Sequence, residues 1–162
     1  VIDHILDAEL ILVGLDASGV EDAIRKLGRL LLEKGCVKDA FIEGVLNREK
    51  EFPTGLPTKP VGVALPHTDP EHVNQTRIAV GTLATPLEFR VMGAKEGTVA
   101  VSIIFLMALK EEDARVAMLQ QLVEVLSNPE VVEKLGVARN ADEIVGLLHA
   151  QFAGEEEKLK PT

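Results

Sequence analysis

The sequence predicts a single layered α/β domain, a mixed β-sheet flanked by α-helices on both faces. Three observations lead there. Runs at 61–65, 78–83 and 99–107 are β-rich and apolar at nearly every position, as strands covered on both faces are. Segments of helical period lie before and after these runs, so helices can cap the sheet from two sides. The chain has 162 residues, enough for one domain to bury about two thirds of its unfolded surface. We read 1–154 as that domain and 155–162 as a disordered tail.

Each element has its own signal. LILVGL at 10–15 reads as the first strand. Ser18 and Glu21 have capping-box spacing, and Val20, Ile24, Leu27 and Leu31 recur at helical period until Gly35, where a helix would stop. A second helix runs from Asp39 to about Arg48 with Phe41, Val45 and Leu46 inward. EFPTGLPTKP at 51–60, with three prolines and one glycine, reads as a loop. A short strand is expected at 87–89, apart from the run at 78–83. From Asp113 the period turns helical, with Val116, Leu119, Val123 and Leu126 as the apolar stripe. Ser127, Asn128, Pro129 and Glu130 open a short helix ending near Gly136. Asn140 and Glu143 cap a last helix carrying Ile144, Leu147 and Leu148.

Composition removes whole classes of function. A net charge of −9 and 3% aromatics, with no Trp or Tyr, argue against a nucleic-acid binder. The single cysteine, Cys36, can form no internal disulfide and no CxxC pair, which fits a reducing cytosol. No uncharged apolar run approaches the roughly 18 residues of a membrane span. The longest, at 99–109, is interrupted by Ser102 and suits a buried strand. The first residue is Val1 rather than Met, which reads as a fragment or a processed chain.

VGVALPHTDPEH, at 61–72, is where the chemistry concentrates. Pro66 fixes its own φ and restricts Leu65, so the strand exit is stiff and His67 leaves it in a defined direction. Open α/β sheets bind ligands at the carboxyl ends of their strands. His67 either reacts at a ring nitrogen or closes a loop through a local hydrogen bond. His67, Asp69 and His72 also invite a metal reading. No HExxH helix or second ligand cluster accompanies them and Pro70 breaks the segment, so no metal is expected. Arg48, in NREKEFPTGL, is either a cation suited to a helix C-terminus or a planar fork for a phosphate. Arg115 divides the same way, except that a cation near a helix start opposes the dipole. His4 and His149 read as surface residues, and Cys36 as a small, partly buried one. Walker A, GxGxxG and GxSxG patterns are absent from the sequence.

NREKEFPTGL followed in register by VGVALPHTD resembles the enzyme IIA components of the sugar phosphotransferase system, mannitol–fructose class. The likeness lies in an Arg-Glu pair, a Thr-Gly loop and an apolar strand ending in Pro-His. EFPTGL is most similar to the galactitol-type branch, and LQQLVEVLSNPEVVEKL to the family's carboxyl-terminal helices, so the likeness covers about 5–153. It implies the family's mixed-sheet fold and no bound cofactor. It implies His67 as phospho-acceptor through a tele-phosphohistidine, charged by the carrier HPr and discharged to a cysteine of enzyme IIB. Phosphoenolpyruvate is then the origin of the phosphoryl group, the location is cytoplasmic, and the membrane is met only through the enzyme IIC permease. Arg48 matches the family's Arg-Glu phrase and is the first candidate to stabilise the phosphoryl charge. Mannitol- and fructose-type members commonly carry a second histidine where this chain has Arg115, which could substitute as an electrostatic clamp. A regulatory module, with His67 phosphorylation controlling a protein partner, is the alternative within the same resemblance.

Overall fold

A computed structural model describes residues 5–159, excluding the side chains of 112–115 and 155–159. Strands β1 (Leu6–Leu15), β2 (Gly55–Leu56), β3 (Gly62–Ala64), β4 (Arg77–Arg90) and β5 (Thr98–Ala108) form one sheet, ordered β1-β4-β5-β3-β2. Helices α1 (Val20–Glu33) and α2 (Phe41–Glu51) follow β1, and α3 (Glu112–Leu126), α4 (Pro129–Gly136) and α5 (Ala141–Leu159) follow β5. The sheet is mixed: β4 runs antiparallel to β5, and β2 to β3, while β1 is parallel to β4 and β3 to β5.

The apolar runs are continuous because both faces are covered. On β5, Ile103, Phe105 and Met107 join one core with Leu122 and Leu126 of α3, Leu135 of α4, and Ile144 and Leu148 of α5. Ile104 and Leu106 join the other, with Ile24, Leu27 and Leu31 of α1 and Phe41 and Val45 of α2. This is the strand's period of two read out in space. Each fully buried Leu, Ile or Phe contributes about 1.5–3 kcal/mol of burial free energy.

Several local expectations change. Ser18 does not cap α1 with its side chain; Gly19 holds the N-cap position, and the Ser18 amide donates instead to Asp22 Oδ2 at 3.0 Å. Glu21 is drawn away to Arg25, one turn on. Residues 87–89 are no separate strand but the end of β4, which passes through Pro86. The β4–β5 register shifts between Thr82 and Leu87, so the missing proline N–H falls where the ladder is already broken. The loop at 51–60 contains β2 and a cis Lys59–Pro60 bond. Its short strand escapes a reading based on apolar runs because only two residues pair.

The stripe on α3 is also corrected. Val116 and Val123 are exposed, at 50% and 41%, while Leu122, Val125 and Leu126 are buried. Two neighbouring faces of this helix are nearly equally apolar, and periodicity alone cannot choose between them. At the far end, α5 runs on past Gly154 to Leu159. Its added residues, Glu-Glu-Glu-Lys-Leu, are all good helix formers. Asn140 caps this helix as expected, accepting from the Glu143 amide at 2.9 Å. Among the described residues, no helix is long and apolar enough to cross a membrane.

Candidate functional site

His67 follows β3 by three residues, beside the carboxyl end of β5. The Met107 amide donates to the Pro66 carbonyl at 3.0 Å, and His67 pairs with Met107 as an isolated parallel bridge. Met107 and Leu65 are fully buried, so this exit from the sheet is anchored in the core.

The half-buried ring is held by its own strand: His67 Nδ1 lies 2.8 Å from the Leu65 carbonyl oxygen. A carbonyl only accepts, so Nδ1 carries the proton, and in the neutral ring the lone pair resides on Nε2. The two readings of His67 therefore coexist. A local hydrogen bond does close the loop, and it leaves the other nitrogen with the nucleophile's electron pair.

The Leu65 backbone is held in turn. Its N–H donates to Thr54 Oγ1 at 3.2 Å, with a longer approach to the Thr54 carbonyl at 3.4 Å. Buried Thr54 donates from its hydroxyl to Glu49 Oε1 at 2.7 Å and from its amide to Glu49 Oε2 at 2.9 Å. Burial pushes the Glu49 carboxyl above its ordinary range, against the pull of the two Thr54 bonds and the Arg90 charge. Gly55 lets this segment lie tight against β4: a Cβ there would meet the Arg90 carbonyl oxygen at 2.6 Å. Gly62 plays the same part for β3 against the Ala100 carbonyl of β5, also at 2.6 Å.

Arg48, in the last turn of α2, reaches the loop beyond His67. Its Nη1 donates to Asp69 Oδ1 at 2.8 Å, and its guanidinium lies 5.3 Å from the centroid of the Phe52 ring. Its Nε is buried with no hydrogen-bond partner among the described residues, so donor capacity remains. Arg115 falls in the first turn of α3, and its side chain lies outside the described residues, as does His4.

The other candidates disperse. His72 Nε2 lies 3.5 Å from Glu71, and among the described residues no three His, Cys, Asp or Glu side chains gather as a metal cage. His149 is half-buried on α5 rather than on the surface. Cys36 is buried, and desolvation pushes its thiol pKa up, away from reactivity. Sequence reasoning passed over the pairing of Thr54 with Glu49, and weighed Asp69 only as a metal ligand. The available hint was that Glu49 and Thr54 flank a helix end, where free polar groups need partners.

Several known proteins are similar to this chain in sequence or fold. A multiphosphoryl transfer protein of Salmonella typhimurium is 29% identical over 147 residues, covering 90% of this chain and 37% of that protein. The transcriptional regulator ManR of Bacillus subtilis is 34% identical over 116 residues, 69% of this chain and 16% of the regulator. The chain thus spans well under half of either relative. The galactitol-specific EIIA component of Escherichia coli (strain K12) is 26% identical over 114 residues, 70% of this chain and 75% of that one. Among solved structures, the mannitol IIA of Escherichia coli superposes with a TM-score of 0.72 at 26% identity, covering 88% of this chain and 98% of that one. The complex of enzyme IIAMTL with phosphorylated enzyme IIBMTL from Escherichia coli matches with a TM-score of 0.73 at 26% identity, covering 90% and 97%. The family model described as "Phosphoenolpyruvate-dependent sugar phosphotransferase system, EIIA 2" matches residues 4–151, and the chain belongs to that family.

Proposed function

We propose that this chain carries a phosphoryl group on His67 Nε2, taking it from phosphorylated HPr and passing it to a cysteine of an enzyme IIB in sugar uptake. The observation that carries the reading is the hydrogen bond from Nδ1 to the Leu65 carbonyl, which directs the lone pair to Nε2. In the first transfer, that pair forms an N–P bond while the donor's N–P bond breaks, its electrons returning to the donor imidazole. The acceptor ring keeps its Nδ1 proton, so it gains positive charge that partly offsets the phosphoryl dianion. In the second, a cysteine thiolate forms an S–P bond and the pair returns to Nε2. Little covalent work falls to the protein beyond alignment and charge stabilisation.

Arg48 supports the same reading, as the guanidinium at the end of α2 nearest in contact to the His67 loop through Asp69. A phosphoryl dianion on a chain of net charge −9 needs such a cation. Arg115 is a second candidate clamp on the residue pattern alone. The likeness to the galactitol-specific component makes galactitol the first sugar to test. The complex with phosphorylated enzyme IIBMTL makes an enzyme IIB the natural acceptor. This work belongs in the cytoplasm, with the membrane reached only through the permease.

The test is phosphoryl transfer from labelled phosphoenolpyruvate, through purified enzyme I and HPr of the source organism, to wild type and His67→Ala. An acid-labile, alkali-stable label on wild type alone is expected. Absence of label on wild type overturns the carrier reading.

The likeness to ManR favours a second reading, in which phosphorylation of His67 controls a protein partner. A stable complex with a non-transport protein, gained or lost on phosphorylation, distinguishes it from sugar uptake.

A further inference from the structure

We propose that Thr54 and Glu49 act as positioning residues for His67, fixing the ring through the Leu65 backbone. The proposal rests on His67 being the phospho-acceptor, and it adds what sets the direction and tautomer of that imidazole.

The connection is continuous. Glu49 Oε1 accepts from Thr54 Oγ1 at 2.7 Å, Thr54 Oγ1 accepts from Leu65 N at 3.2 Å, and Leu65 O accepts from His67 Nδ1 at 2.8 Å. An ionised carboxylate can only accept, so the Thr54 hydroxyl proton must point at Glu49. That orientation turns an oxygen lone pair toward the Leu65 amide. The Leu65 N–H can only donate and its carbonyl only accept, so the Thr54 hydroxyl is the one group in this chain whose orientation Glu49 sets, and through it the position of the Leu65 backbone.

The other side of the exit is fixed separately. Met107 N donates to Pro66 O at 3.0 Å, so the backbone entering His67 is held by Thr54 at the Leu65 amide and by β5 at the Pro66 carbonyl. The Leu65 carbonyl accepts from the imidazole of His67 two residues on, a contact made across the fixed φ of Pro66. Thr54 cannot drift, because Gly55 lies against the Arg90 carbonyl and pairs with Val91. Glu49 is fixed on the last turn of α2, whose Val45 and Leu46 are buried. Two rigid elements therefore meet on one threonine hydroxyl. Outer-shell partners that orient a reactive histidine are worth about 10- to 100-fold in function where they have been removed from metal sites.

The experiment compares wild type, Thr54→Val, Thr54→Ser and Glu49→Ala, all as the full chain. Two readouts are taken: the rate of phosphoryl transfer from phosphorylated HPr, and the imidazole ¹⁵N shifts of His67, which report the tautomer. Thr54→Val keeps the side-chain shape but removes the hydroxyl. It is expected to slow transfer about 10- to 100-fold and to mix the two neutral tautomers. Thr54→Ser is expected to restore both. If Thr54→Val does not fold, Glu49→Ala carries the test, with changes expected in the same direction. A folded Thr54→Val protein, or failing that a folded Glu49→Ala protein, with the wild-type tautomer and rate overturns the proposal. The ¹⁵N readout needs no phosphoryl donor, so an unlabelled wild type would sink the carrier reading while the tautomer result still judged the positioning one.

Discussion

Arg48 and Asp69 meet at 2.8 Å across 21 residues of sequence, tying the last turn of α2 to the loop that follows His67. Their side chains are 29% and 54% exposed, so solvent weakens the attraction between them. The pair brings a guanidinium to the His67 loop more than it stabilises the fold.

Arg48→Ala is accordingly expected to cost less than about 1 kcal/mol of stability. It should slow phosphoryl transfer about a hundredfold, the scale of losing one preorganised donor to a developing anion. Arg48→Lys should recover only part, since an ammonium lacks the planar fork. Urea denaturation and rapid-quench transfer measure the two separately. A large stability loss with an unchanged rate would assign Arg48 a purely structural role.

Glu49 gives a pH signature. Burial raises its pKa in the folded protein, so the native state holds the proton more tightly than the unfolded chain. Its contribution is then complete below the unfolded pKa, about 4.3 for a free Glu, and is lost as pH rises through the folded value. The stability of wild type relative to Glu49→Gln should fall as pH rises from 4 to 7. Glu21 of α1, Glu43 and Lys50 of α2, and Glu88 and Arg90 of β4 line the same cleft, so the titration belongs in high salt. The opposite slope in urea melts would mean that the Thr54 bonds outweigh desolvation.

Two glycines should respond in opposite directions. Gly55→Ala places a Cβ 2.6 Å from the Arg90 carbonyl oxygen, an overpacking expected to cost about 1–3 kcal/mol. Gly146, inside α5, has nothing within 4 Å of the same built atom. Gly146→Ala should therefore stabilise by about 0.5–1 kcal/mol, through helix propensity and a less flexible unfolded chain. Thermal melts of both variants check the pair.

The corrected face of α3 is equally open to measurement. Leu122 is 1% exposed and Val123 is 41% exposed. Leu122→Ala should cost about 2–5 kcal/mol, while Val123→Ala should stay within about 0.5 kcal/mol of wild type. Equal costs at the two sites would restore the stripe through Val116 and Val123.

Much of this arrangement was readable in advance. The three central strands announced themselves because burial on both faces removes polar residues from nearly every position, as at Ile103 to Met107. The stiff presentation of His67 followed from Pro66, a constraint that acts within two residues. Residue type left Arg48 with two readings, and its match to the family's Arg-Glu phrase singled it out. Folding supplied what depends on contacts between distant segments. The Arg48–Asp69 pair spans 21 residues and the Leu65–Thr54 bond spans 11, and nothing local to either partner encodes the other. The joining of 87–89 to β4 depended on a ladder interruption opposite β5, and the buried face of α3 on which side of that helix met the sheet. Even the tautomer of His67 came from the path of the backbone, because the nitrogen that bears the proton is set by the carbonyl that folding brings within reach.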